Sequence, residues 1–144
     1  MSRLTEIPIR VEPPVLAGGL GGGVTAILSE LASLLERLAH GEEPAAIDLR
    51  SLPMSEQDRA ALRRALGDGE VQATLNAQGP SSIRETQVPG VWWVEHRDRD
   101  GEVIAELIEV TRIPAILMSA LDEIAAGART LREQIATPTA APAR

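Results

Sequence analysis

The stretch 91-VWWVEHRDRDGEVIAELIEVTR-112 decides the fold of this chain. Its two halves, Val91 to Arg97 and Glu102 to Arg112, are predicted as strands. The residues between them, Asp98-Arg99-Asp100-Gly101, end in an Asp-Gly pair that is typical of tight turns between antiparallel strands. The stretch therefore predicts a β-hairpin.

Three upstream segments are predicted to extend this hairpin into a sheet. Apolar and polar residues alternate from Glu70 to Ala77, which predicts a half-buried strand. Ser82 to Val88 is the next predicted strand, and the Pro89-Gly90 turn separates it from the hairpin. Ala45 to Leu49 is a short candidate strand. Together these segments predict a mainly antiparallel sheet of about four to five strands.

Two helices are predicted in the first half of the chain. From Val24 to His40, apolar residues recur at the spacing of one buried helical stripe, and Gly41 is a typical C-terminal stop. A second helix, Glu56 to Leu66, follows Ser55, which forms the pattern of a capping box with Asp58. Helices combined with antiparallel strands predict an α+β fold in which the helices pack against the sheet.

A last helix is predicted to begin at Pro114, because proline in the first helical turn loses no hydrogen bond. Gly127 is expected to break or end this helix, and a second helical stretch up to Ile135 would follow. Three apolar residues are expected to face the core: Leu117, Leu121 and Ile124.

The two ends of the chain differ in composition from its middle. Residues 1–23 are rich in proline and glycine and predict a flexible N-terminal arm. Residues 24–136 are predicted as a single α+β domain, and residues 137–144 as a disordered tail. No apolar signal core precedes the domain, and no apolar run approaches the ~20 residues that span a bilayer. We therefore expect a cytoplasmic protein.

The composition of the chain excludes several functional classes. Its net charge of −7 opposes binding to nucleic acid or to an anionic membrane, both of which attract Lys and Arg. The absence of cysteine excludes disulfides, thiolate metal sites, cysteine-ligated iron–sulfur clusters and thiol catalysis. We expect no cofactor.

Two groups of residues suggest ligand binding without a complete motif. The glycines within residues 18–23 precede a helix but match neither G-x-G-x-x-G nor the P-loop, so a hinge is the better interpretation. His40 and His96, the only histidines, would bind nickel or zinc only with carboxylates from elsewhere in the fold. A position at a helix C-terminus already explains His40. We expect no metal site and keep the histidine pair as the weaker alternative.

Acidic and basic residues are interleaved along the predicted strands. Glu85, Glu95, Glu106 and Glu109 alternate with arginines such as Arg84, and we interpret them as cross-strand ion pairs on a solvated sheet face. Paired carboxylates can act in acid–base catalysis, but no Ser/His/Asp set or H-E-x-x-H motif accompanies them. The sequence therefore predicts that the protein is not an enzyme.

Trp92 and Trp93 are the only large aromatic residues, since the chain has no Phe and no Tyr. Adjacent strand residues point to opposite faces of a sheet, so we expect one ring in the core and the other partly exposed or covered by a helix. Exposed tryptophan is frequent at protein interfaces. The predicted partner-binding residues are therefore these two tryptophans together with Arg84, Glu85 and Glu95.

Five segments, in the same order, resemble the HupH/HyaF family of hydrogenase expression/formation proteins. They are Ile47 to Pro53, Leu66 to Val71, Ile83 to Thr86, Pro89 to Val94 and Ile108 to Val110. The resemblance covers about residues 18 to 125 and concerns the conserved C-terminal region of a family whose members are typically longer.

This resemblance implies an accessory protein in the maturation of an uptake nickel–iron hydrogenase. It implies binding to an immature subunit, in particular the iron–sulfur small subunit precursor, and to other hydrogenase accessory proteins, without catalysis. A metal- or small-ligand-handling role in the same assembly system is the alternative. An unpaired sheet edge would also allow a homodimer.

Overall fold

The computed structural model describes residues 21–137, and the chain divides after Arg112 into two units. The first unit contains two helices, α1 (Gly22–Ala39) and α2 (Glu56–Leu66). Its strands are β1 (Ala45–Asp48), β2 (Gln72–Asn76), β3 (Pro80–Glu85), β4 (Val91–Arg97) and β5 (Val103–Val110). The second unit contains α3 (Leu121–Ala136).

The five strands form one sheet in the order β1-β5-β4-β3-β2, and every neighbouring pair is antiparallel. The predicted hairpin is confirmed as β4 and β5, with Trp93 opposite Ile108. Between His96 and Arg97 the register shifts, at the end of the hairpin near its turn. The α+β fold with a mainly antiparallel sheet is therefore confirmed.

One face of the sheet packs under α1 and α2, and we call it the helix face. Because side chains alternate along a strand, the register places Val91, Trp93, Ile108 and Val110 on this face together. They form a continuous buried cluster with residues of α1, α2 and the turn after β1: Val24, Leu31, Leu34, Leu49, Leu62 and Leu66. The opposite face presents Ile83, Trp92 and Val94, which are also buried.

Local signals set the bounds of α2, whereas the start of α1 differs from the expectation. The capping box is present, because the Ser55 hydroxyl accepts from the Asp58 amide at 3.0 Å and the Asp58 carboxylate accepts from the Ser55 amide. Gly67 ends α2 with a φ of +70°, a conformation that residues with a Cβ rarely adopt. At α1 our expected boundary was slightly wrong. The helix begins at Gly22, so the last glycines assigned to the arm lie in its first turn.

Other expectations for the ends of the chain lie outside the described residues. These are the arm up to residue 20 and the tail from residue 138.

The second unit differs from the expectation in three ways. Pro114 precedes a short 3-10 turn, Ala115–Leu117, and the α-helix starts only at Leu121. The helix then continues through Gly127 without a break. Leu121 and Ile124, which we expected in the core, are 83% and 55% exposed. An amphipathic pattern predicts an apolar helix face but does not say what covers it.

Gly127 gives a test of this continuous helix. A Cβ at this position would have no atom within 4 Å, so Gly127→Ala adds helix propensity without a clash. We expect amide hydrogen exchange within α3 to slow about fivefold, corresponding to about 1 kcal/mol. Unchanged or faster exchange in residues 121–136, measured by NMR, would contradict an intact helix through this position.

Candidate partner-binding surface

A buried carboxylate lies next to Trp93 on the helix face. The Trp93 Nε1 donates a hydrogen bond to Oε2 of Glu106 at 2.9 Å, across neighbouring strands. The second oxygen, Oε1, accepts from Nε of Arg59 at 2.9 Å. Glu106 is only 5% exposed, yet both of its oxygens have charged or polar donors. Burying this charge is tolerated because its hydrogen bonds are made inside the protein.

A second arginine of α2 completes this arrangement. Arg63 follows Arg59 by one helical turn, and its guanidinium carbon lies 4.4 Å from the centre of the Trp93 ring. Both arginines therefore project from the same side of α2 towards the sheet. One binds the carboxylate of Glu106 and the other stacks on the indole that donates to it. We call Arg59, Arg63, Trp93 and Glu106 the α2 clamp.

Trp92 lies on the opposite face and is also buried, with 6% exposure. Its Nε1 donates to the carbonyl oxygen of Thr111 at 3.2 Å. Of the two alternatives expected for the second ring, partial exposure or a covering helix, partial exposure is wrong, since Trp93 is also only 3% exposed. Both polar indole groups are satisfied within the chain, which buried tryptophan generally requires. Neither ring forms an exposed apolar patch in this conformation.

The three charged residues predicted with the tryptophans are half-buried and do not form one cluster. Arg84 lies next to Trp93 on the helix face. Glu95, on the same face, forms a salt bridge of 3.0 Å with Arg97 of its own strand. Glu85 lies on the opposite face, next to Trp92. The structure brings Arg84 and Glu95 to one face and separates Glu85 from them.

The interpretation of the strand carboxylates as solvated cross-strand pairs is wrong for two of them. Glu106 is buried, and its basic partner, Arg59, belongs to a helix rather than to the sheet. Glu95 pairs within one strand. The register places Glu95 directly opposite Glu106, so these separate arginine partners also offset the repulsion between two facing carboxylates.

The two histidines lie on different elements. His40 is at the C-terminus of α1, where its Nδ1 is 2.7 Å from the carbonyl oxygen of Glu36. His96 is on β4, and its Nδ1 is 2.7 Å from the hydroxyl of Ser81 on β3. Within residues 21–137, no three His, Asp or Glu side chains are grouped as metal ligands would be. Each ring instead has a local hydrogen-bond partner.

Within residues 21–137, α3 carries four exposed large aliphatic side chains. None of the residues of α3 is buried. The exposed fractions are 83%, 55%, 61% and 74% for Leu121, Ile124, Leu131 and Ile135. Together with Ala128, they recur at alternating spacings of three and four residues. At ~100° per residue they occupy a sector of about 80°. We call these five residues the α3 stripe. Such spacing is typical of a helix that packs against another protein element.

The sequence contained a signal for this surface that we assigned differently. The spacing from Leu121 to Ile135 is visible in the sequence, but Gly127 predicts a break or an end of the helix midway, with a second helical stretch up to Ile135. The α2 clamp was missed for another reason, because Arg59 and Glu106 are 47 residues apart in sequence. No local pattern links residues at that separation.

None of the helices within residues 21–137 is long and apolar enough to span a membrane. The first unit defines an α+β protein, and the helix of the second unit carries the exposed α3 stripe. The chain belongs to the family described as HupH hydrogenase expression protein, C-terminal conserved region, which matches residues 23–137. The resemblance seen in the sequence is thereby confirmed.

Several relatives share this region. The hydrogenase expression/formation protein HoxQ of Azotobacter vinelandii is 35% identical over 115 residues, which are 80% of this chain and 39% of HoxQ. The hydrogenase-1 operon protein HyaF of Escherichia coli (strain K12) is 31% identical over 114 residues, 76% of this chain and 40% of HyaF. The chain thus spans about two fifths of the length of these relatives.

A solved structure has the same fold. The hydrogenase expression protein HupH from Thiobacillus denitrificans ATCC 25259 superimposes with a TM-score of 0.77 and 38% sequence identity. The comparison covers 80% of this chain and 96% of that structure. The matching region is therefore nearly the whole of that polypeptide.

Proposed function

We propose that this chain is an accessory protein in the maturation of an uptake nickel–iron hydrogenase. It binds an immature subunit, the iron–sulfur small subunit precursor, and does so in the cytoplasm without catalysing a reaction. The family match supports a role in hydrogenase maturation. So do the names of the relatives, which are hydrogenase expression/formation proteins. The small subunit precursor is proposed as the partner because the family resemblance implies it, and the exposed apolar side chains of α3 support action by binding.

The observation that carries the proposal is the α3 stripe. Its four large aliphatic side chains are more than half exposed, and contiguous exposed apolar surface of this kind favours contact with another macromolecule. Most of the stability of an amphipathic helix in a protein comes from packing of its apolar face, and no residue of α3 is buried. Packing of the stripe against apolar surface of the subunit would therefore stabilise the helix and shield that surface before the subunit is assembled.

Charged residues of the sheet are proposed to add specificity. Arg84, Glu85 and Glu95 are half-buried polar side chains, and the chain has a net charge of −7. Such groups discriminate between partners more than they strengthen binding. Trp92 and Trp93 keep a role in this proposal only as supports of the strand, because both rings are buried.

The composition of the chain favours binding the polypeptide of the small subunit over carrying its iron–sulfur cluster. Iron–sulfur clusters are bound mainly by cysteine thiolates, and this chain has no cysteine. An accessory protein without thiolates can bind the polypeptide of the small subunit, while the ligands for the cluster come from the subunit itself. This division of roles agrees with a binding function.

The test is affinity capture from cells that express the hydrogenase, with the tagged wild-type chain compared with Leu131→Glu. Leu131 is 61% exposed, so the substitution changes the stripe without opening a cavity. We expect the variant to capture at least about tenfold less small subunit precursor, because a carboxylate would be buried unpaired in the contact. Mass spectrometry of the captured proteins identifies the subunit.

Thr130→Glu is the matched control. It is the neighbouring residue, introduces the same charge and lies on the exposed side of α3 away from the stripe. We expect it to capture as the wild type does. Equal capture by both variants would remove the stripe from the proposal, and a wild type that captures no hydrogenase component would refute the proposed function.

A further inference from the structure

The strand β2 forms one end of the sheet, and its only neighbour within residues 21–137 is β3. The hydrogen bonds at its two ends define which backbone groups are used. Glu85 donates to the carbonyl oxygen of Val71 at 2.9 Å, and Ala77 donates to that of Gly79 at 3.3 Å. In an antiparallel ladder the bonded positions alternate, so the odd-numbered residues of this segment are bonded to β3.

The even-numbered residues of β2 therefore direct their backbone groups away from the sheet. These residues are Gln72, Thr74 and Asn76, and all three are exposed. Their N–H and C=O groups make no hydrogen bond within the described part of the chain. The result is a row of alternating donors and acceptors that matches another antiparallel strand.

This edge lacks the features that usually prevent strand pairing. The segment 71-VQATLNA-77 contains no charged residue and no proline. The other edge strand, β1, has only four residues, follows Glu43-Pro44 and ends at Asp48. Charges, proline and short length are ways in which edge strands avoid pairing. All three protect β1, whereas β2 has no charge and no proline and is one residue longer.

We propose that β2 is a self-association edge, at which two copies of this chain pair antiparallel about a two-fold axis at Thr74. In this register Thr74 faces Thr74 of the second copy, and Gln72 faces Asn76. Every outward N–H then meets an outward C=O, in three residue pairs with two hydrogen bonds each. The proposal is independent of the proposed function.

The side chains of β2 are complementary in the same register. Thr–Thr and Gln–Asn pairs lie on one face of the extended sheet, where they can hydrogen-bond across the axis. On the other face Ala73 lies opposite Leu75 of the second copy, a small residue against a larger apolar one. No two like charges meet. A five-residue edge buries less surface than a standard interface of ~800 Å² per partner, so the dimer is weak and depends on concentration.

Sedimentation velocity of the purified chain, from micromolar to millimolar concentration, tests the proposal. We expect the wild type to shift from monomer towards dimer. Thr74→Lys places two ammonium groups opposite each other at the axis, and we expect a dissociation constant at least about tenfold higher. The side chain of Thr74 is exposed, so we expect the fold to tolerate the change. Circular dichroism verifies that.

Ser29→Lys, on the exposed side of α1, is the control with the same change of charge and should dimerise as the wild type does. Amide exchange gives a second readout. With rising concentration, exchange should slow at Gln72, Thr74 and Asn76, while Ala73 and Leu75 are already protected by β3.

Two results would overturn the proposal. One is a wild type that stays monomeric at every concentration. If Thr74→Lys also weakens capture of a hydrogenase subunit by such a monomer, the edge pairs with a strand of that subunit and not with a second copy. The other is a dimer that Thr74→Lys leaves unchanged, which would place the contact elsewhere. Neither result depends on whether the wild type captures a hydrogenase subunit.

Discussion

Glu106→Ala is expected to lower the free energy of unfolding by about 3 kcal/mol, because it removes the acceptor of the buried Trp93 Nε1 and the ion-pair partner of Arg59. The Nε1 of Trp93 is buried and would lose the acceptor that it has within residues 21–137. Arg59 would lose its 2.9 Å ion pair, although its side chain is 25% exposed and can turn towards water. This partial exposure places the expected loss at the lower end for a broken buried pair. Urea unfolding followed by far-ultraviolet circular dichroism measures it.

Two further variants show whether the effect belongs to the α2 clamp. Glu106→Gln keeps an acceptor for Trp93 but removes the charge next to Arg59, so we expect a smaller loss of about 1–2 kcal/mol. Glu102→Ala removes an exposed carboxylate beside the hairpin turn and should change stability by less than about 0.5 kcal/mol. A loss for Glu106→Ala as small as that of Glu102→Ala would show that the buried hydrogen bonds contribute little.

Gly79→Ala is also expected to cost about 3 kcal/mol, through backbone geometry instead of charge. Gly79 lies in the turn between β2 and β3 with a φ of +149°, a region that residues with a Cβ rarely adopt. A methyl group there would contact the carbonyl oxygen of Arg97 and lie 2.7 Å from the carbonyl carbon of Asp98. These are backbone atoms of the neighbouring hairpin, so they cannot move aside as a flexible side chain would.

Gly101→Ala separates backbone strain from steric overlap in this comparison. Gly101 has a φ of +88°, but a Cβ there would have no atom within 4 Å. We expect a loss of about 1 kcal/mol from strain alone. Thermal unfolding of the two variants under identical conditions compares them. Equal destabilisation of both would show that contact between the two turns does not contribute.

The sequence was most informative where a local signal had a local cause. Glu56–Leu66 was predicted with its observed bounds, because the Ser55 capping box and Gly67 act within one helical turn. Val91–Arg97 was also predicted correctly, because Pro89-Gly90 and the Asp-Gly turn bound it on both sides. These features require no knowledge of the rest of the chain.

Predictions that depended on tertiary contacts were less accurate. The alternation of strand residues correctly placed Trp92 and Trp93 on opposite faces, but not the burial of both. Exposure depends on what covers each face, which the strand itself does not encode. The sequence of α3 likewise does not encode what covers the helix. Leu121 and Ile124 were expected in the core and are exposed. The pairing of Arg59 with Glu106 required the sheet register and the position of α2 together.

The position of the two tryptophans also makes the protein its own optical probe. With no tyrosine or phenylalanine, near-ultraviolet absorption and emission arise from two adjacent residues of β4. One indole senses the carboxylate and guanidinium groups beneath α2, and the other senses the backbone at the end of β5. A change in emission on adding a partner that has no tryptophan or tyrosine would therefore report a disturbance at the centre of the sheet, without a label.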